Sequence, residues 1–252
     1  MSEPGQTTLA DYLRTLRRSR WLILGVTVAC AAAALAYSVL QSPTYEATAQ
    51  LTVRDPAQDL NLLGGAAVTA QQPLQLASAH APQVTRTAVL ERVKEDLNRD
   101  QSLTEIRELV EVDIDPNSFT VNIRAQSSDA REAARIVNAF AEADAQLTSS
   151  EAREQYAAAA DRLDDRLKDL DAASDSATEG FYVNRLSNLQ VLSSVAEPVV
   201  VSDLGEVPSS PISPKPLRNT LAAAVFGLLL GLVLAYARGM FDRRLREPSE
   251  VE

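Results

Sequence analysis

Few residues in this chain could do covalent or metal chemistry. Its 252 residues include one histidine, His80, and one cysteine, Cys30. A Ser-His-Asp triad would have to use His80, which sits in the proline-flanked polar stretch ASAHAPQ, where a surface histidine is expected. With no second histidine, a metal site built on imidazole or thiolate lacks ligands. A single cysteine allows no intramolecular disulfide. There is no G-x-x-x-x-G-K-[ST] phosphate loop, no G-x-S-x-G elbow and no H-E-x-x-H pair. Carboxylates are plentiful, and Asp164, Asp165 and Asp169 could approach a cation, but no calcium-binding loop surrounds them. A solvated helix face is the plainer reading. The expectation is a chain that is not an enzyme, with no catalytic residue, no metal and no cofactor.

The layout of the chain explains more than its chemistry does. Trp21 to Leu40 and Asn219 to Ala237 contain no formal charge. At 1.5 Å per residue each spans about 30 Å, the thickness of a hydrocarbon core. The alternatives are a buried core helix for either block and a cleaved signal peptide for the first. Arg14, Arg17, Arg18 and Arg20 precede the first block, and Arg238, Arg243, Arg244 and Arg246 follow the second. Positive flanks stay in the cytoplasm, which predicts both termini inside and the middle outside, with Lys215 and Arg218 a mild exception at the headgroups. The divisions are then a cytoplasmic lead (1–20), span one (21–40), an extracytoplasmic domain (41–218), span two (219–237) and a cytoplasmic tail (238–252). The chain carries a net charge of −10, with its acidic excess in the middle, so nucleic acid is not an expected partner. Leu9, Leu13 and Leu16 give the lead an apolar face suited to the inner membrane surface. Ala223, Gly227, Gly231 and Ala235 recur every fourth residue along span two, a stripe that lets another helix approach closely.

The middle reads as α+β. Tyr45 to Val53 alternates as a strand, and residues 54–72, with Pro56, Gly64 and Gly65, read as a loop or broken helix. A helix is expected over 83–97. Ser102 and Glu105 form a capping box opening a short helix to about Leu109. Val110 to Ile114, the Pro116-Asn117 turn, and Phe119, Val121 and Ile123 predict a hairpin. Asp129 caps a stretch without Pro or Gly that runs to Ala173. Ile136, Phe140, Ala143 and Leu147 make one heptad-like seam, and Tyr156, Ala160, Leu163, Leu167 and Leu170 another. The break between them predicts a bend or a change of packing partner. A turn over 174–180 leads to a returning helix over 181–195 and a short strand from Val199 to Val201. The expected picture is a base domain with an extended helical arm over about 129–195. The strands at both ends of the domain would place the sheet nearer the membrane than the arm.

Before span two, Pro208, Pro211, Pro214, Lys215 and Pro216 form a proline-rich run (208–216). Its spacing favours a stiff polyproline-type strut, with an ordinary linker as the alternative. Together with the Arg-rich lead, SPTYEATAQLTV after span one, VVVSDLGEVPSSPISPKP before span two and the glycines within it, this layout resembles the Wzz-type polysaccharide co-polymerases, the chain-length determinant family. The resemblance covers essentially the whole chain. It implies two transmembrane helices flanking an extracytoplasmic α/β base domain with a helical arm, in a ring-like homo-oligomer. It also implies a role in setting the length of O-antigen, capsule or exopolysaccharide chains, with membrane lipid, a polysaccharide polymerase and the growing glycan chain as partners. The tail FDRRLREPSEVE resembles the linker into a fused cytoplasmic tyrosine kinase in larger members. A separate kinase, a kinase-less member and a fragment are all compatible with it. The rival readings are a two-span sensor acting through a separate cytoplasmic partner and a structural tether.

Overall fold

The computed structural model describes residues 19–55, 72–168 and 176–244. The lead, most of the 54–72 loop and the tail after Arg244 lie outside them. In chain order the elements are α1 (Arg20–Leu40), β1 (Tyr45–Val53), α2 (Pro73–His80), a 3-10 turn (Ala81–Thr85), α3 (Thr87–Asp96), α4 (Leu103–Arg107), β2 (Val110–Ile114), β3 (Val121–Ser127), α5 (Ala130–Lys168), α6 (Ser176–Val195), β4 (Val199–Asp203) and α7 (Pro216–Arg244). The chain divides into two compact units, one of Met1–Pro43 with Ile212–Glu252 and one of Thr44–Pro211.

The first unit holds α1 and α7, and both are long and apolar enough to cross a membrane: 21 residues for Arg20–Leu40 and 23 for Pro216–Arg238. Trp21, Leu24, Val28, Val225, Phe226, Leu229 and Val233 remain exposed on their outer surfaces, as lipid-facing side chains must. The second helix starts earlier than expected, at Pro216 rather than Asn219. Proline suits a first helical position because its missing N–H has no partner there to lose. The first turn closes with Asn219 N–H donating to the Lys215 carbonyl at 3.0 Å.

The second unit is an antiparallel sheet in the order β2-β3-β1-β4. Ala49 pairs with Ile123, Ile123 with Val112, and Leu51 with Val201. Alternation sends Ala47, Ala49, Leu51, Val121, Ile123 and Ala125 to one face, where all are buried. The N-terminal half of α5 lies on that face through Ala133, Ile136, Val137, Phe140, Ala141 and Ala143, and the core is completed by Val84, Val89, Val93 and Ile106. Burying a side chain such as Phe140 contributes about 1.5–3 kcal/mol.

Several expectations need correction. Residues 83–97 are not one helix: Arg86 is extended and separates the 3-10 turn from α3. The capping box at Ser102 and Glu105 is present, but α4 stops at Arg107. Phe119 is not in a strand. It has φ 57° and is exposed, because the hairpin loop closes through Phe119 N–H to the Asp115 carbonyl at 2.8 Å. Residues 176–180 are helical, with Gly180 inside α6 rather than ending a turn. Helix α5 runs unbroken through the polar stretch after Leu147; what changes there is the packing partner. Core residues of α5 end at Leu147, and beyond it the helix packs against α6, with Ala160 and Leu192 buried.

Candidate functional site

Two places in the chain carry the residues singled out by the sequence or by their geometry. The first is the α1–α7 pair. A Cβ on Gly227 would lie 2.8 Å from Cys30 Cβ and 3.0 Å from Thr27 Cα; one on Gly231 would lie 3.0 Å from Ile23 Cα. Ala235 is buried and Ala223 half-buried. The helix that approaches this stripe is thus the chain's own first span. Small residues permit such contact, and dispersion over the closely packed backbones supplies the attraction. Asn219 Nδ2 donates to the buried Ser38 Oγ at 3.4 Å, a polar tie between the two helices.

In the proline-rich run, Pro208 and Pro211 belong to the end of the α/β unit, and Pro214, Lys215 and Pro216 to the start of the helical unit. Residues 204–212 have no regular helix or strand, and Pro216 is the first residue of α7.

The second place is the cleft of about 300 Å³ at the end of β1, lined by Arg54, His80, Gln83, Arg86, Thr148 and Glu151 among others. Here the expectation of a surface histidine fails. His80 is only 9% exposed, and its Nε2–H donates to Asp144 Oδ2 at 2.6 Å. The residue ends α2, a helix that Pro73 starts at its first position, and α2 packs on β1. The sequence does carry a signal for this pair. Asp144 follows Phe140 by four residues on the buried stripe of α5, and a carboxylate placed there requires a partner.

Arg86, in the extended link before α3, donates from Nη1 to Glu151 Oε2 at 2.6 Å. Its Nε and Nη2 are buried with no partner among the described residues, as is Thr148 Oγ1. An unmet donor of this kind costs on the order of 1–3 kcal/mol. The backbone of the cleft wall is fixed by Arg54 N–H donating to the Pro198 carbonyl at 2.8 Å.

Among the described residues, no group of three or more His, Cys, Asp or Glu is placed to hold a metal ion. Asp164 and Asp165 engage Lys168 of their own helix at 2.6 and 3.3 Å. The hydrogen bond that Lys168 Nζ donates to Asp164 leads the causes that raise the Lys168 pKa. Asp169 lies outside the described residues.

Comparison with known proteins agrees with this architecture. Residues 5–97 match the family model described as Wzz, chain length determinant protein. The capsular polysaccharide type 8 biosynthesis protein of Staphylococcus aureus is 22% identical over 211 residues, covering 84% of this chain and 75% of that protein. A probable capsular polysaccharide biosynthesis protein of Bacillus subtilis, YwqC, is 24% identical over 247 residues, covering 98% and 83%. The fold is similar to that of a full-length bacterial polysaccharide co-polymerase at 14% identity, with a TM-score of 0.53 over 95% of this chain and 100% of the other. Two apolar helices bracket the α/β unit, and the chain is similar to the Wzz chain length determinant family over residues 5–97 and to capsular polysaccharide biosynthesis proteins over 84–98% of its length.

Proposed function

We propose that this chain is a non-catalytic membrane scaffold that regulates the chain length of a surface polysaccharide. The observation that carries the reading is the alignment of a probable capsular polysaccharide biosynthesis protein over 98% of the chain, both apolar helices and the domain between them included. The arginine flanks support a cytoplasmic position for both termini and an extracytoplasmic position for residues 41–218. Copies of the chain assemble as a ring-like homo-oligomer and hold a membrane polymerase beside the growing glycan, and the polymer grows for as long as the complex persists. The proline-rich run at 208–216 acts as the link between the external domain and span two. A cytoplasmic tyrosine kinase is a further partner under this reading.

The test compares the size distribution of surface polysaccharide from cells with the gene, without it and with it restored. A shifted or broadened distribution in the deletion, corrected on restoration, is expected. A distribution that does not change on deletion would sink the proposal and favour a sensor or a tether.

A further inference from the structure

The start of α7 sets two cations above a long apolar ridge. Lys215 supplies the carbonyl that closes the first turn of the helix, and Arg218 follows three residues later. Side chains three apart on a helix are neighbours, with Cβ atoms about 5–6 Å apart, so the two charges repel each other unless an anion lies between them. Both are exposed. The first turn holds no acidic residue, and among the described residues no carboxylate pairs with either cation. Their position also runs against the charge pattern of the chain, whose arginine clusters precede α1 and close α7.

Below Arg218, at helical steps of three and four, come Leu221, Val225 and Leu229. Each is more than half exposed, because α1 packs on the opposite face, that of Gly227 and Gly231. From Arg218 to Leu229 the ridge runs about 16 Å at 1.5 Å per residue, close to half of a hydrocarbon core of about 30 Å. A positive head over an apolar stem of one leaflet's depth complements the form of an anionic lipid. Tyr37, exposed on α1, adjoins Ser38, which Asn219 ties to α7 at 3.4 Å. A phenol therefore stands at the level of Arg218, where an amphipathic ring meets headgroups.

We propose that this face of α7 is a selective site for an anionic phospholipid, with the phosphate between Lys215 and Arg218 and an acyl chain along Leu221, Val225 and Leu229. A zwitterionic lipid brings its own cation to the headgroup and gains less from the pair. An anionic lipid leaves its net charge for Lys215 and Arg218 to neutralise. That this rim faces outwards rests on the proposed orientation. The lipid site does not: it rests on the two charges and the ridge.

The test uses the full chain carrying Trp21→Phe and Val225→Trp, so that its one tryptophan lies on the ridge about 10 Å below Arg218. It is reconstituted in vesicles of mixed phosphatidylglycerol and phosphatidylcholine, with one or the other brominated along its acyl chains. Quenching of the tryptophan by each bromolipid gives their relative affinity for this face. Phosphatidylglycerol is expected to be preferred about fivefold at low salt. The preference should vanish in 1 M salt, where the screening length is about 3 Å. Lys215→Gln with Arg218→Gln should abolish it, and the exchange Lys215→Arg with Arg218→Lys should keep it. Arg218→Gln alone should lower it about twofold, and it carries the test should the double variant not insert. Equal affinity for the two lipids in the parent, or a preference that survives both glutamine variants, overturns the site. Weak quenching by both lipids also overturns it, because the face is then covered by another helix. None of these results bears on the polysaccharide size distribution, so failure here is distinct from failure of the proposed role.

Discussion

His80 Nε2 lies 2.6 Å from Asp144 Oδ2, joining the C-terminal end of α2 to the middle of α5 across 64 residues of chain. Asp144 is fully buried, and its Oδ1 has no partner among the described residues. The pair is held between helices that both pack on β1, so the carboxylate cannot reach water if its partner is removed. His80→Ala is expected to destabilise the protein by about 3–5 kcal/mol, the usual cost of leaving one member of a buried pair alone. The double variant His80→Leu with Asp144→Leu, which leaves no charge behind, should recover most of that loss. Chemical denaturation of the parent and these two variants measures both. Equal stability of His80→Ala and the parent would show that the pair contributes nothing.

Gly205 is clamped to α5 by two hydrogen bonds with one side chain. Its N–H donates to Asn138 Oδ1 at 2.7 Å, and Asn138 Nδ2 donates to its carbonyl at 3.1 Å. A Cβ at this position would run into Cγ2 of the fully buried Val137. Gly205→Ala should therefore cost about 1–3 kcal/mol by overpacking. Asn138→Ala should cost a similar amount, because it leaves a backbone donor and acceptor unmet. The two losses share one contact, so the double variant should fall short of their sum in a melting experiment. Full additivity would mean that the clamp and the close approach act separately.

What could be read from the sequence follows the range of the interaction. The strand at Tyr45–Val53 announces itself because Ala47, Ala49 and Leu51 alternate locally. The Ser102–Glu105 box is legible because both partners lie within one turn. The apolar helices are legible because no charge interrupts them. His80 is misread because its partner is 64 residues away and the local stretch is polar and proline-flanked. Arg86 is invisible for the same reason: Glu151, Thr148 and Arg54 converge on it only after α5 is laid across the sheet. The stripe of Gly227 and Gly231 is readable as a packing face, but periodicity does not say which helix it receives. Only the structure places Ile23, Thr27 and Cys30 there.

The capping box gives a pH dependence of defined sign. Glu105 Oε2 accepts from the Ser102 N–H at 2.8 Å and from Ser102 Oγ at 2.9 Å. The backbone hydrogen bond, and then the hydroxyl, hold its pKa below the ordinary glutamate value. A carboxylate with a depressed pKa stabilises the fold above its unfolded-state pKa, and that contribution is lost as the pH falls through the folded value. Glu105→Gln should remove this acid-side slope from the melting temperature, lowering it slightly at neutral pH and leaving it unchanged at low pH. Ser102→Ala, which also deletes the acceptor for the Glu105 N–H, should cost about 1 kcal/mol at neutral pH. An identical acid-side slope in Glu105→Gln and the parent would refute the assignment.

Cys30 makes the helix pair testable in place, because it is the only cysteine in the chain and it borders Gly227. A Cβ on Gly227 would already press on Cys30 Cβ at 2.8 Å, and one on Gly231 on the Ile23 backbone at 3.0 Å. A leucine at either position has no room unless α1 and α7 separate. Gly227→Leu with Gly231→Leu should therefore open the pair and expose the half-buried thiol. Labelling of Cys30 by a membrane-permeant thiol reagent should become several-fold faster, while the circular dichroism of the protein stays close to the parent's. Ordinary transmembrane helices tolerate leucine well, so loss of helix content is not the expected route. If the stripe serves the scaffold through this pair, the same variant should also shift the polysaccharide size distribution towards that of the deletion. Faster labelling with unchanged glycan length would confine the stripe to intrachain packing. An unchanged labelling rate would mean that the two helices do not meet along these glycines in the membrane.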